Sequence, residues 1–227
     1  MLNEYPIILE QRNLLINDDK TEYYEISRSN NNQTWKKCKF LGSRLDTDED
    51  IKRRKSLSIA AIKTLKDVFN NKKIWTTTKA RAFDTYISST FLYNACLWTL
   101  TKTQETKIDA FQRRLIRSNV LNIRWPQKIR NEDVYKKSKI QPWSKRIKKL
   151  RMTWFGHAMR LPSNTPAKRA IEYAKTSCRA PRGRPKLTWI KQMTQQLEED
   201  MNMTWEEAER KAQEKTEWRR EVYLKYK

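Results

Sequence analysis

Only three glycines, Gly42, Gly156 and Gly183, punctuate the 227 residues of this chain, and seven prolines join them. A sheet-rich chain of this length needs a tight turn about every ten residues, and glycine supplies most of the positive-φ positions such turns use. The sequence lacks that supply, so long helices must carry most of it. Its core must also be thin, because 37% of residues are hydrophobic and 33% charged, which leaves little apolar surface for the length. We therefore expect an elongated, mainly α chain with a small N-terminal antiparallel β element, an α+β arrangement.

The period of the pattern places the elements. Leu14-Leu15-Ile16, Thr21 to Ser27 and Trp35 to Leu41 read as a short meander joined by Asn17-Asp18-Asp19 and the polar run Ser29 to Gln33. After Leu45 the period changes from two to nearly four. Thr47 with Asp50 reads as a capping box opening one helix through Ile51, Leu57, Ile62, Leu65 and Phe69. Phe83, Tyr86, Ile87, Thr90 and Phe91 form a second stripe, and Ile108, Phe111, Leu115 and Ile116 a third, on a helix near Thr103 to Val120. Further on, Ile147, Leu150, Trp154, Ala158 and Leu161 make an apolar stripe, with Lys145, Arg146, Lys148, Lys149, Arg151 and Arg160 spread over the remaining face. A helix should open at Asn164-Thr165-Pro166, since proline is tolerated in a first turn. Another carries Leu187, Trp189, Ile190, Met193 and Leu197, and a last one starts at the capping box Thr204 with Glu207 and runs through Trp205, Ala208, Ala212 and Val222. These readings divide the chain into 1–46 (β element), 47–123 (helical) and 124–227 (basic and helical).

Charge follows that division. Between Arg124 and Lys191 twenty Lys or Arg stand against three acidic residues, Glu132, Asp133 and Glu172, whereas residues 1–34 and 192–227 are each slightly acidic. Most of the net +23 is therefore focused in one span, and a focused basic field attracts phosphate backbones with a steep dependence on salt. Trp125, Trp143, Trp154 and Trp189 lie within this span. Such rings either anchor small cores or stack on bases, and core is the default for tryptophan.

Several chemistries are excluded. Cys38, Cys96 and Cys178 are odd in number and widely spaced, and with the lone His157 they offer neither a disulfide framework nor zinc-ligand spacing. No apolar run approaches the roughly 18 residues of a membrane span, so no membrane partner is expected and the chain is placed inside the cell, in nucleus or cytoplasm. Lys145-Arg146-Ile147-Lys148-Lys149 would serve as a nuclear address or as a phosphate-facing run. His157 has no identifiable carboxylate or nucleophile partner, and the cluster Asp46, Asp48, Glu49, Asp50 suits a helix start better than a metal. Gly156, in mid-helix, costs about 1 kcal/mol relative to alanine, which close packing would repay.

Pro181-Arg182-Gly183-Arg184-Pro185-Lys186 is the sharpest local string. Two prolines hold it extended and the glycine leaves its backbone open to a groove floor, so Arg182 and Arg184 would enter a narrow A·T minor groove in the manner of an AT-hook. A rigid, phosphate-gripping connector is the alternative.

Taken in order, four blocks resemble the C-terminal part of reverse transcriptases from non-LTR (LINE-like) retrotransposons. Asn13 to Glu22 looks like the motif after the palm aspartates, and Cys38-Lys39-Phe40-Leu41-Gly42-Ser43 like the primer-grip hairpin. Phe91 to Lys102 is similar to the thumb segment, with Asn94 and Cys96 replacing its common Gly and Glu. Arg151 to His157, Arg182-Gly183-Arg184-Pro185 and Trp218-Arg219 follow in the family's order. The resemblance implies a residual palm with primer grip, a helical thumb and a basic region holding primer, template or target DNA. Lys20 would match a lysine assisting the leaving pyrophosphate, and Leu41 and Gly42 the primer-grip turn. Lys145, Arg146, Lys148, Lys149, Arg151, Arg182, Arg184 and Lys186 would contact an RNA·DNA hybrid, RNA or DNA. The Mg²⁺-binding aspartates would lie upstream of residue 1, so the chain carries no cofactor and does not polymerise alone; the upstream polymerase region would be a partner. Two other readings stay open: an architectural DNA binder using Arg182 and Arg184, and a non-functional retroelement remnant.

Overall fold

The structure, a computed structural model, describes residues 10–15, 17, 21–22, 38–124, 126–176 and 187–227. The chain divides into two compact units, residues 1–49 and 50–227. The expected class holds: the chain is predominantly helical, with one two-stranded antiparallel sheet near the N-terminus.

In the first unit β1 (Lys39–Phe40) pairs with β2 (Ser43–Arg44), Phe40 opposite Ser43. The connection is the pair Leu41 (φ 45°) and Gly42 (φ 80°). Two positive φ values make a hairpin turn whose twist matches the strands, and glycine is what such a turn asks for. Of the expected meander, Lys39 and Phe40 lie in β1, whereas Leu14, Leu15, Thr21 and Glu22 lie in no strand; most of the rest falls outside the described residues.

The larger unit is helical. α1 (Thr47–Thr64) starts from Asp46, whose Oδ1 accepts from the Glu49 N–H at 3.0 Å; the cap lies one residue before the expected Thr47. The single helix expected from Ile51 to Phe69 is broken at Leu65, and α2 (Lys66–Asn70) is separate. α3 (Thr76–Ala82) continues through a π-helical stretch, Phe83–Ser88, into α4 (Ser89–Leu92). Phe83, Ile87 and Phe91 are buried as their spacing predicts, while Tyr86 is turned out to solvent. α5 (Lys102–Leu115) opens on a capping box, Thr101 with Gln104, and ends in a second π stretch, Ile116–Val120. α6 (Asn131–Ser138), α7 (Trp143–Met159), α8 (Pro166–Thr176) and α9 (Trp189–Met201) follow. The expected last helix is two, α10 (Trp205–Gln213) and α11 (Lys215–Lys225), hinged at Glu214; its capping box, Thr204 with Glu207, is in place.

Two hydrophobic clusters form, and α7 is common to both: its Trp143 and Ile147 belong to the first, its Met152, Phe155 and Met159 to the second. Trp143 centres the first. Its ring stacks on Phe91 at 4.0 Å between centroids, and its Nε1 donates to Ser88 Oγ at 2.9 Å. In the second, Phe155 meets Trp205 edge-on at 5.1 Å, with Trp218 at 5.5 Å. Tryptophan therefore serves as core anchor here, and the indole N–H of Trp143 and of Trp218 each finds a buried acceptor. Gly156 completes the packing: a Cβ there would lie 2.2 Å from Trp218 Cδ1 and Nε1.

The stretch from Cys96 to Leu100 is clamped by side chains from distant helices. Trp189 Nε1 donates to the Cys96 carbonyl at 2.9 Å, Arg151 to the Trp98 carbonyl at 3.0 Å, and Gln192 bonds both the N–H and the carbonyl of Leu100. Three alternate carbonyls with no ladder of their own are satisfied in this way, as buried backbone requires. α7 is likewise capped from outside, because Pro142 before it offers no side-chain cap. Asp109 Oδ1 accepts from the Ser144 N–H and Gln112 Oε1 from the Trp143 N–H, both at 2.9 Å. A carboxylate on a helix N-terminus stabilises both dipole and orphan N–H groups. Replacing Asp109 by alanine should cost about 1–2 kcal/mol, read as a lowered urea midpoint with unchanged slope.

Candidate nucleic-acid interface

α7 sets the site because it shows one face to the cores and the other to solvent. Buried on it are Trp143, Ile147, Arg151, Met152, Phe155, Gly156, Ala158 and Met159. The opposite face carries Arg146, Lys149, Leu150, Thr153, His157 and, just beyond the helix, Arg160, all half-buried or exposed. Steps of three or four residues keep these in one line.

The expected stripe needs correction. Leu150, assigned inward, is 38% exposed, and Arg151, assigned to the charged face, is 1% exposed. Arg151 Nη1 donates to Gln196 Oε1 at 2.8 Å and Nη2 to the Trp98 carbonyl, while Nε is buried without a hydrogen-bond partner. Burial pushes this guanidinium below its ordinary value, with Glu105 opposing. Around it lie Tyr226, whose hydroxyl accepts from Gln196 Nε2 and donates to Asp200 Oδ2 at 2.6 Å, and Lys148, 3.3 Å from Asp200. Arg151 is thus part of a buried polar network and does not face a phosphate. Burial, then the hydrogen bond to Asp200, pushes the Tyr226 phenol well above its ordinary value.

Two concavities flank the outer face of α7 and share Lys149 and Thr153. One, of about 880 Å³, has Arg81, Lys139, Arg146 and Lys149 around a floor that includes Ala80 and Ile140. The other, of about 410 Å³, has Lys149, Arg160, Lys215 and Arg219, with Tyr223 and His157 at its wall. Among the described residues, Asp84 is the single carboxylate lining either, and it is ion-paired with Arg146. Seven cations against one carboxylate make a groove of strongly positive potential, focused by its low-dielectric walls.

Lys139 occupies an unusual backbone position. It closes α6 with φ 56°, the left-handed conformation that glycine or asparagine takes at a helix end with least strain.

The expected site residues are distributed as follows. Arg146 and Lys149 lie in the groove; the Lys149 ammonium sits 5.0 Å from the centre of the Tyr223 ring. Lys145 Nζ donates to the main-chain oxygen of Lys227 at 2.7 Å, and Lys148 is paired with Asp200, so both bind the chain to itself. Leu41 and Gly42 form the hairpin turn of the first unit, Leu41 74% exposed. Lys20, Arg182, Arg184 and Lys186 lie outside the described residues, as does Trp125. Sequence reasoning missed Arg81, Lys139, Arg160, Lys215 and Arg219 as contact residues, which come from four separate elements and share no local pattern. A positive-φ lysine was the one available signal, and it is visible only in the backbone.

Among the described residues no group of His, Cys, Asp or Glu is placed to hold a metal ion, and no helix is long and apolar enough to cross a membrane. No family model, no curated protein and no solved structure matches this chain.

Proposed function

We propose that this chain binds nucleic acid through its sugar-phosphate backbone, as the C-terminal part of a non-LTR retrotransposon reverse transcriptase, with the groove along α7 as the contact surface. The observation that carries the binding is the line of cations on both sides of that helix. From Arg146 to Arg160 the helix rises about 21 Å. Phosphates of one strand advance about 3.4 Å per base pair along a duplex, so the groove matches about six of them. The parent activity rests on the colinear blocks from Asn13 to Arg219, and the metal-binding aspartates that polymerisation needs are not among them.

Fluorescence anisotropy with a labelled RNA·DNA hybrid, measured across a salt series, tests the binding. The log of affinity should fall steeply and linearly with the log of salt, and removing one groove cation should lower the slope by about one. Lys139→Gly is the most telling variant. It deletes a cation and relieves the left-handed strain, so the fold should gain about 1 kcal/mol while binding weakens. Binding unchanged in Lys139→Gly and Arg219→Ala would remove the groove from the account. The architectural reading makes a different forecast: strong preference for A·T-rich duplex, abolished by Arg182→Ala with Arg184→Ala.

A further inference from the structure

We infer that the groove along α7 takes an unpaired nucleic-acid strand in preference to a duplex or hybrid, with Tyr223 and Trp75 as base-stacking platforms. The inference rests on the groove being a nucleic-acid site and adds which form occupies it. Three observations lead to it.

First, the concavities are of nucleotide scale and have apolar floors. The larger is about 880 Å³, with the buried Ala80 and Ile140 and the exposed Leu150 in its lining beside its cations. A duplex presents phosphates on its outside and hides its bases, so it would use the rim and leave the floor empty. An unpaired strand places bases against such a floor and phosphates on the rim.

Second, one exposed ring lines the smaller concavity and another stands two residues before a residue that lines the larger one. Tyr223 lines the smaller concavity and is 52% exposed. Trp75 is 80% exposed and immediately precedes α3, whose Thr77 lines the larger one. An indole left in water is costly, and every other tryptophan among the described residues is buried or half-buried. Duplex recognition through phosphates has no use for these rings; stacking on unpaired bases does.

Third, the cations flanking these rings keep their charge available. Among the described residues no carboxylate lies within ion-pair distance of Arg81, Lys139, Lys149, Lys215 or Arg219. Lys149 lies over one face of Tyr223, so a ring stacked on a base would keep its partner phosphate near an ammonium. In a polymerase context the groove would hold the single-stranded flank beside a hybrid.

The test compares labelled single-stranded oligo(dT), its duplex with oligo(dA) and its hybrid with oligo(rA), all of one length, with the full chain at one salt concentration. The single strand should bind most tightly. Tyr223→Ala and Trp75→Ala should each weaken it about tenfold, the scale of one lost stacking contact, with a much smaller loss for the duplex. Tyr223→Phe keeps the ring and should bind as the parent does. Duplex or hybrid binding as tight as the single strand, or equal losses for all three in Tyr223→Ala, would overturn the preference while leaving the groove as a binding site. No salt-dependent binding of any of the three would overturn the groove reading as well. Both rings are exposed, so circular dichroism of the variants should match the parent and keep folding out of the comparison.

Discussion

Arg151→Ala should destabilise the larger unit by about 4 kcal/mol. Two buried acceptors, Gln196 Oε1 and the Trp98 carbonyl, would lose their donor at once, and each buried unsatisfied group costs about 1–3 kcal/mol. The same truncation leaves a cavity where α7 meets α9, and it removes the cation that faces Glu105 and Asp200. For a domain of this size the loss should appear as a fall of about 10 °C in Tm. Arg151→Lys should recover only part of it, because an ammonium cannot present the planar fork that reaches both acceptors. Calorimetry and oligonucleotide titration together decide what the residue does. An unchanged Tm with weakened binding would mean that the guanidinium serves a ligand, contrary to its burial.

A comparable loss, about 3 kcal/mol, is expected for Gly156→Ala, although alanine is the better helix former by about 1 kcal/mol. The new methyl would overlap the Trp218 ring, and that ring is 1% exposed with its Nε1 bonded to the Met152 carbonyl at 2.9 Å. A rigid indole in a packed core has nowhere to move. Trp218→Phe should open the space, so the double variant should be less destabilised than the sum of the two single ones. Strict additivity in a double-mutant cycle would show that the ring yields elsewhere and that Gly156 is not selected by this contact.

These two residues mark where sequence reasoning was adequate and where it was not. The mid-helix Gly156 reads as a close-packing position from propensity alone, because a cost of about 1 kcal/mol needs a local repayment. The tryptophans read as core anchors, and Trp98, Trp143, Trp205 and Trp218 are buried; among the described residues Trp75 is the exposed exception, and nothing in its neighbours predicts it. The Arg151 assignment failed for a definite reason. Period 3.6 tells which residues share a face of α7, but polarity tells which face is inward only while polar groups lack partners inside. Gln196, 45 residues further along the chain, supplies that partner.

Helix ends show the same division. Thr204 with Glu207 caps its helix through contacts three residues apart, so the motif is sufficient evidence for it. The breaks at Leu65 and Glu214 are announced by no breaker residue in the sequence.

By itself, the sequence determined the fold class, the starts of α1, α5, α8 and α10 to within a residue, the tryptophan-centred packing and the concentration of positive charge between Arg124 and Lys191, since all of these follow from local propensity, period and composition. Only the tertiary structure decided where that charge stands and which of it is left unpaired. Lys145, Lys148 and Arg151 are held by the chain's own acceptors, while Arg81, Lys139, Lys149, Lys215 and Arg219, without a carboxylate partner among the described residues, line one groove together with Arg146, which is paired with Asp84. The reason is physical: a cation's availability depends on which acceptors the fold brings to it, and those lie tens of residues away.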